Sequence, residues 1–118
     1  MKHEVVYAED YCGFGLSDTA VDWLANNATD KGLIDFIAKL KNSHESNLGN
    51  RLSKWFEDKR HHKDLVSLVK HFNSNDSADH SLSHLSIEDI DEDCYYIEEY
   101  DGSETVHTPN SIHWIKIK

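Results

Sequence analysis

Tyr96-Ile97-Glu98-Glu99-Tyr100-Asp101-Gly102-Ser103-Glu104-Thr105-Val106-His107 reads as two β-prone runs joined by Asp101-Gly102. That dipeptide favours a type I′ turn, which needs positive φ at both central positions and matches the twist of paired strands. A two-residue loop leaves one register. It pairs Tyr100 with Ser103, Glu99 with Glu104, Glu98 with Thr105, Ile97 with Val106 and Tyr96 with His107. Because side chains alternate along a strand, one face carries Ile97, Glu99, Glu104 and Val106. The other carries Tyr96, Glu98, Tyr100, Ser103, Thr105 and His107.

Around this hairpin, short runs at Leu85 to Ile87, Cys94 to Tyr100 and Ile112 to Ile117 predict further strands, and Val5 to Ala8 predicts a first strand. Helical signals fill the middle. Ser17 is a good N-cap, with Asp18 in the first turn and Leu16 and Val21 placed as a hydrophobic staple. Asn26 and Asn27 end that helix. A second helix begins after Asp30, with Leu33, Ile34, Ile37 and Leu40 on one face. A third amphipathic piece carries Leu48, Leu52, Trp55 and Phe56. The strongest helical period runs from Lys63 to Phe72, through Leu65, Val66, Leu68, Val69 and Phe72. The polar stretch Asn73 to Ser83 reads as a loop. This order predicts an α+β fold: an N-terminal strand and helices, followed by an antiparallel C-terminal β-meander. Its 118 residues fit a single domain, 1–118.

The charge narrows the function classes. Twenty-two acidic against twelve basic residues give a formal net charge of −10, which argues against direct nucleic-acid binding, since phosphates need a basic face. No apolar run approaches the ~20 residues of a membrane span, and the N-terminus has no apolar signal core. Cys12 and Cys94 without a secretory context read as free thiols in a cytoplasmic setting. From Glu88 to Glu104 there are nine Asp or Glu residues and no Lys or Arg. Such a run forms a solvated face, or a surface that imitates a phosphate backbone and blocks a basic partner.

Three groups of residues could carry a site. Cys12-Gly13-Phe14-Gly15-Leu16-Ser17 lies between a strand and a capped helix, where backbone N–H groups favour anions. It is neither a P-loop nor a dinucleotide fingerprint, and a tight turn with Phe14 packed inward explains it equally. Arg60, in the basic knot Lys59-Arg60-His61-His62-Lys63, is suited to hold a phosphate or carboxylate through two hydrogen bonds. Glu99 and Glu104 face each other across the hairpin, and like charges in that position repel by roughly a few tenths to one kcal/mol. Water, a cation (Arg60, Arg51 or a histidine) or a ligand must offset this. The candidate ligand-binding residues are therefore Cys12, Gly13, Phe14, Gly15, Ser17, Arg60, Tyr96, Glu98, Glu99, Tyr100, Glu104 and His107. Tyr96, Tyr100 and Phe14 would stack on a base. His80 and His84 are four apart in a Ser-rich loop, with no metal-binding motif, so no metal or cofactor is expected.

Cys12-Gly13-Phe14-Gly15-Leu16-Ser17, followed by Ala20-Val21, resembles the opening of a family of small tailed-phage accessory proteins, which usually reads Gly-Gly-Phe-Gly-Leu-Ser. Arg60-His61-His62-Lys63, Ile87-Glu88-Asp89-Ile90 and Tyr96 to Glu104 resemble that family's second half in order, while residues 28–58 do not match, which implies a helical insertion there within the single domain. The resemblance implies a phage accessory protein acting in the host bacterial cytoplasm, in host takeover or anti-defence. It implies no settled activity.

Three readings follow. The first is a binding protein that sequesters a small anionic, nucleotide-derived host molecule. The second is an acidic protein–protein inhibitor that blocks a host defence or nucleic-acid-binding protein. The third is a small hydrolase, the weakest, because no nucleophile, base and orienting group can be assigned and no catalytic residue is named. Trp23, Trp55 and Trp114 in so small a chain also allow a homo-oligomer.

Overall fold

The computed structural model describes residues 2–9, 13–43, 46–74, 82 and 84–109. Cys12, His80 and the strand expected from Ile112 to Ile117 lie outside the described residues. Within them the order is β1 (His3–Ala8), α1 (Asp18–Asn27), α2 (Lys31–Asn42), α3 (Leu48–Phe56), α4 (Lys63–Phe72), β2 (Leu85–Ile90), β3 (Tyr96–Tyr100) and β4 (Ser103–His107). This is the expected α+β order, with the antiparallel strands β2, β3 and β4 at the C-terminal side.

β3 and β4 form the hairpin in the register read from the turn, Tyr96 opposite His107 through Tyr100 opposite Ser103. Asp101 and Gly102 take φ of 52° and 90°, the positive values a type I′ turn demands. β2 does not continue this pair as a third meander strand. It runs antiparallel to β1, with Val6 opposite Ile87 and Ala8 opposite Leu85. The reason is the adjacent pair Val5-Val6, both fully buried. Side chains alternate, so β1 buries both faces. Val6 and Ala8 join the helical core with Leu24, Leu33, Phe56, Leu68 and Leu85, while Val5 packs with Ile90 and Val106 in a second cluster under the hairpin. The ribbon β1–β2 is thus sandwiched, helices on one face and β3–β4 on the other. The acidic turn after Ile90 carries the chain from one layer to the next.

The four helices share one core. Leu33 and Ile37 of α2 and Leu52 and Phe56 of α3, all inside the segment 28–58, pack with Val21 and Leu24 of α1 and Leu65, Leu68 and Val69 of α4. Polar ties fix how they meet. Buried Ser53 donates to the Gly49 carbonyl and accepts from the Leu16 N–H, both at 2.8 Å. The Asp18 carboxylate accepts from the Gly49 N–H at 2.9 Å. The α3 backbone therefore lies directly against the start of α1, and a Cβ on Gly49 would meet the Leu16 carbonyl oxygen and stand 2.9 Å from the Ser17 carbonyl carbon. Asp64, buried in the first turn of α4, accepts from the Thr29 and Asp30 N–H groups and from Thr29 Oγ1 at 2.8–3.1 Å. His62 caps α4 by accepting the Asp64 N–H at Nδ1 (3.0 Å), so its Nε2–H donates to Asp30 at 2.6 Å.

Gly49→Ala forces backbone against backbone and should cost about 1–3 kcal/mol in urea unfolding, the usual range for overpacking. The His62 hydrogen bond, followed by the Gly32 N–H, holds the Asp30 carboxyl below its ordinary value of 3.8. A depressed carboxylate stabilises the fold above its unfolded value and stops doing so as pH falls through the folded one. Stability should therefore drop below pH 3.8 in the native chain and drop less steeply in Asp30→Asn, as read by urea titrations at a series of acidic pH values.

Candidate functional site

Arg60 follows α3 in the turn that leads to α4, and its side chain turns inward to 4% exposure. Its Nη1 and Nη2 donate to Glu104 Oε1 and Oε2 at 2.7 and 2.9 Å, a bidentate fork. Nε donates to the Glu57 carbonyl at 3.0 Å, and Nη1 reaches the Val6 carbonyl at 3.5 Å. Phe14 lies on the guanidinium plane, 3.7 Å from ring centroid to Cζ. Glu104, 8% exposed, also accepts the Ala8 N–H at 2.8 Å. Of the ways to offset the Glu99–Glu104 repulsion, the fold uses Arg60. The Arg60 carbonyl in turn accepts the Val6 N–H at 2.8 Å, on the edge of β1 away from β2.

This pair forms the back of a cleft of about 1020 Å³. One wall is α3 and the following turn, with Asn50, Ser53, Lys54, Glu57 and Asp58. The other is the approach to β3 and β3 itself, with Asp93, Cys94, Tyr95, Tyr96, Ile97 and Glu99. Gly13 and Phe14 close one side and His61 also lines it. Tyr95 Oη and His61 Nδ1 are 2.8 Å apart. Burial pushes the Tyr95 phenol above its ordinary value of 10.0, against the opposing pull of hydrogen bonds at Arg60 and His61, so it stays a neutral hydroxyl.

Six of the residues expected to bind a ligand therefore meet in one place: Gly13, Phe14, Arg60, Tyr96, Glu99 and Glu104. Gly13 takes φ of 78° and lies against Gly102 of the hairpin turn, which is how the first loop reaches the site. Gly15, Ser17, Glu98, Tyr100 and His107 do not line the cleft. Ser17 caps α1, accepting from the Ala20 N–H at 3.3 Å. Glu98 and His107 are 3.2 Å apart on the outward face of the hairpin, where Tyr96 stacks on His107. Cys94, an exposed free thiol, lines the cleft.

The charge of the site differs from what its residues suggest one at a time. The two-pronged donor that would hold an anion is already filled by Glu104. At the start of α1 the Leu16 N–H goes to Ser53, the Ala20 N–H to Ser17, and Asp18 adds a negative charge. With Arg60 and Glu104 cancelling, the cleft keeps Glu57, Asp58, Asp93 and Glu99 against Lys54. Glu57, Asp58 and Tyr95 were not expected at a site from sequence, and Asp93 only as one of the Glu88 to Glu104 run. For Glu57 and Asp58 the signal was their closeness to the Lys59–Lys63 knot, which the reading of residues 28–58 as an insertion hid.

Among the described residues no three metal-ligating side chains converge, and no helix is long and apolar enough to cross a membrane. No family model, curated protein or solved structure matches the chain.

Removing one member of a buried ion pair strands the other charge, at a typical cost of about 3–5 kcal/mol, whereas replacing both by apolar groups is often near neutral. Glu104→Ala should lose stability in that range in urea unfolding. Arg60→Met combined with Glu104→Leu should lose clearly less than Glu104→Ala alone.

Proposed function

We propose that this protein is a non-catalytic binder that blocks a basic partner protein through the acidic, tyrosine-bearing outer face of its C-terminal hairpin. The observation that carries this reading is the exposure of Tyr96 and Tyr100, 52% and 74%, on the strand face that also presents Glu98. Large amphipathic rings left in water are what interfaces use as anchors, because they bury much area for little conformational entropy. The surrounding charge selects the partner. Of the nine acidic residues from Glu88 to Glu104, among the described residues Glu104 alone is ion-paired with a Lys or Arg, and Asp93 and Glu98 meet only histidines. An unneutralised acidic strip with aromatic anchors complements a surface built to hold nucleic acid.

The resemblance to small tailed-phage accessory proteins supplies the setting: an anti-defence or host-takeover inhibitor acting on a nucleic-acid-binding host protein in the bacterial cytoplasm. Capture of an anionic, nucleotide-derived molecule is the weaker reading, since Arg60 spends its donors on Glu104, Glu57 and Val6.

The immobilised chain should retain a basic host protein at ~50 mM salt, release it several hundred millimolar higher, and yield it to added duplex DNA. Glu98→Lys with Tyr100→Ser should abolish retention. A retained protein indifferent to DNA and to those substitutions would sink the proposal.

A further inference from the structure

We infer that the cleft behind the hairpin receives an arginine side chain of the basic partner, an inference that rests on the outer-face reading above and assigns its central contact. The outer face is a flat strand surface. The cleft is concave, opens beside the same strand, and shares Tyr96 with it, so one partner segment can cover both.

Three features of the cleft fit a guanidinium. Its lining includes two aromatic residues, Tyr95, which meets His61 edge-on, and Tyr96, whose ring has His107 on one face and the other left for a planar cation. Two of its carboxylates are uncommitted: Glu57 has no ion pair among the described residues, and Glu99 meets only the Gly102 N–H of its own turn, at 3.0 Å, whereas Asp58 lies 3.6 Å from Lys59 and Asp93 3.3 Å from His3. Its back wall is neutral, because Arg60 and Glu104 cancel, so an entering cation meets no repulsion at depth. An anion would meet the opposite: no free fork at Arg60 and carboxylates on both walls. The volume, about 1020 Å³, exceeds what one side chain fills, which suits a side chain entering with its flanking backbone. The same protein shows the recognition mode internally, with Arg60 held by one ring on its plane and one bidentate carboxylate. Lys54 lines the cleft as well, and its charge leaves the walls net acidic rather than reversing them.

The probe is a short, dye-labelled arginine–glycine peptide, its binding to the full chain followed by fluorescence anisotropy at low salt. Glu57→Gln with Glu99→Gln removes two cleft charges, keeps hydrogen-bond acceptors at both positions, and touches no core residue. Asp22→Asn with Asp35→Asn removes the same charge from exposed helix residues that do not line the cleft. The cleft variant should bind at least about fivefold more weakly and the control less than about twofold, since long-range attraction alone responds to net charge and not to position. A lysine–glycine peptide of equal charge should bind more weakly than the arginine one and discriminate less between the two variants. Equal losses in cleft variant and control would overturn the inference. If Glu98→Lys with Tyr100→Ser still weakens binding in that case, the outer-face reading survives alone. Loss in the cleft variant with none in the outer-face variant would keep the cleft and overturn the outer face. No binding to any form overturns both.

Discussion

The Arg60–Glu104 pair is the constraint that the arrangement of layers depends on. Glu104 belongs to the outer hairpin, Arg60 to the turn between two helices, and between them runs β1, which donates the Ala8 N–H to Glu104 and the Val6 N–H to the Arg60 carbonyl. One residue pair therefore ties hairpin, central ribbon and helical layer. Burying two charges is costly unless geometry and additional hydrogen bonds repay it. Here the guanidinium makes four hydrogen bonds and lies under Phe14, and the carboxylate makes a third bond to the backbone. Such a network fixes where the hairpin sits more than it adds to stability. The apolar cluster beneath it, Val5, Ile90 and Val106, would tolerate sliding. A two-pronged fork would not.

The same logic recurs on the helical side with less charge buried. Asp64 gathers the N–H groups of Thr29 and Asp30, which lead into α2, and His62 accepts the Asp64 N–H while donating to Asp30. α2 and α4 are thus joined at their N-termini through carboxylates, which also complement both helix dipoles. At the other junction Asp18 in the first turn of α1 receives the Gly49 N–H from the first turn of α3. Acidic residues at helix starts serve here as joints between helices, and that use accounts for part of the negative charge without any partner.

How much of this was legible depends on whether the rule is local. The hairpin register was, because a two-residue Asp-Gly turn leaves no other pairing. The α4 bounds were, because five apolar residues in ten keep one period. The Glu99–Glu104 repulsion pointed to a hidden cation and put Arg60 among the choices, but selecting Arg60 over Arg51, a histidine or water needed the tertiary fold. The partner of β2 was hidden in Val5-Val6, an adjacent apolar pair whose strand must be covered on both faces. The sign of the cleft was not legible at all. Arg60 read both as a holder of anions and as a partner for the hairpin carboxylates, and only the fold, which brings Glu104 to it from 44 residues away, decides between them, while Glu57 carried no local signal of its place in a cleft.

Three glutamates within seven residues show what the period of two does with one residue type. Glu98 points away from the body and is held only by His107. Glu99, one residue on, points to the opposite face and lines the cleft. Glu104, across the ladder from Glu99, shares that inward face but lies closer to Arg60 and is buried. Arg60 holds Glu104 in its fork, and of the two inward carboxylates that is the buried one. The one not taken, Glu99, is exposed at the cleft wall. Had Arg60 paired with Glu99, the cleft would have kept an uncommitted carboxylate at its back and lost one from its wall, with Glu57, Asp58 and Asp93 still lining it. The charge of the cleft, and with it the sign of any ligand it admits, thus comes from Glu57, Asp58 and Asp93 together with the cross-strand glutamate that the buried arginine does not hold.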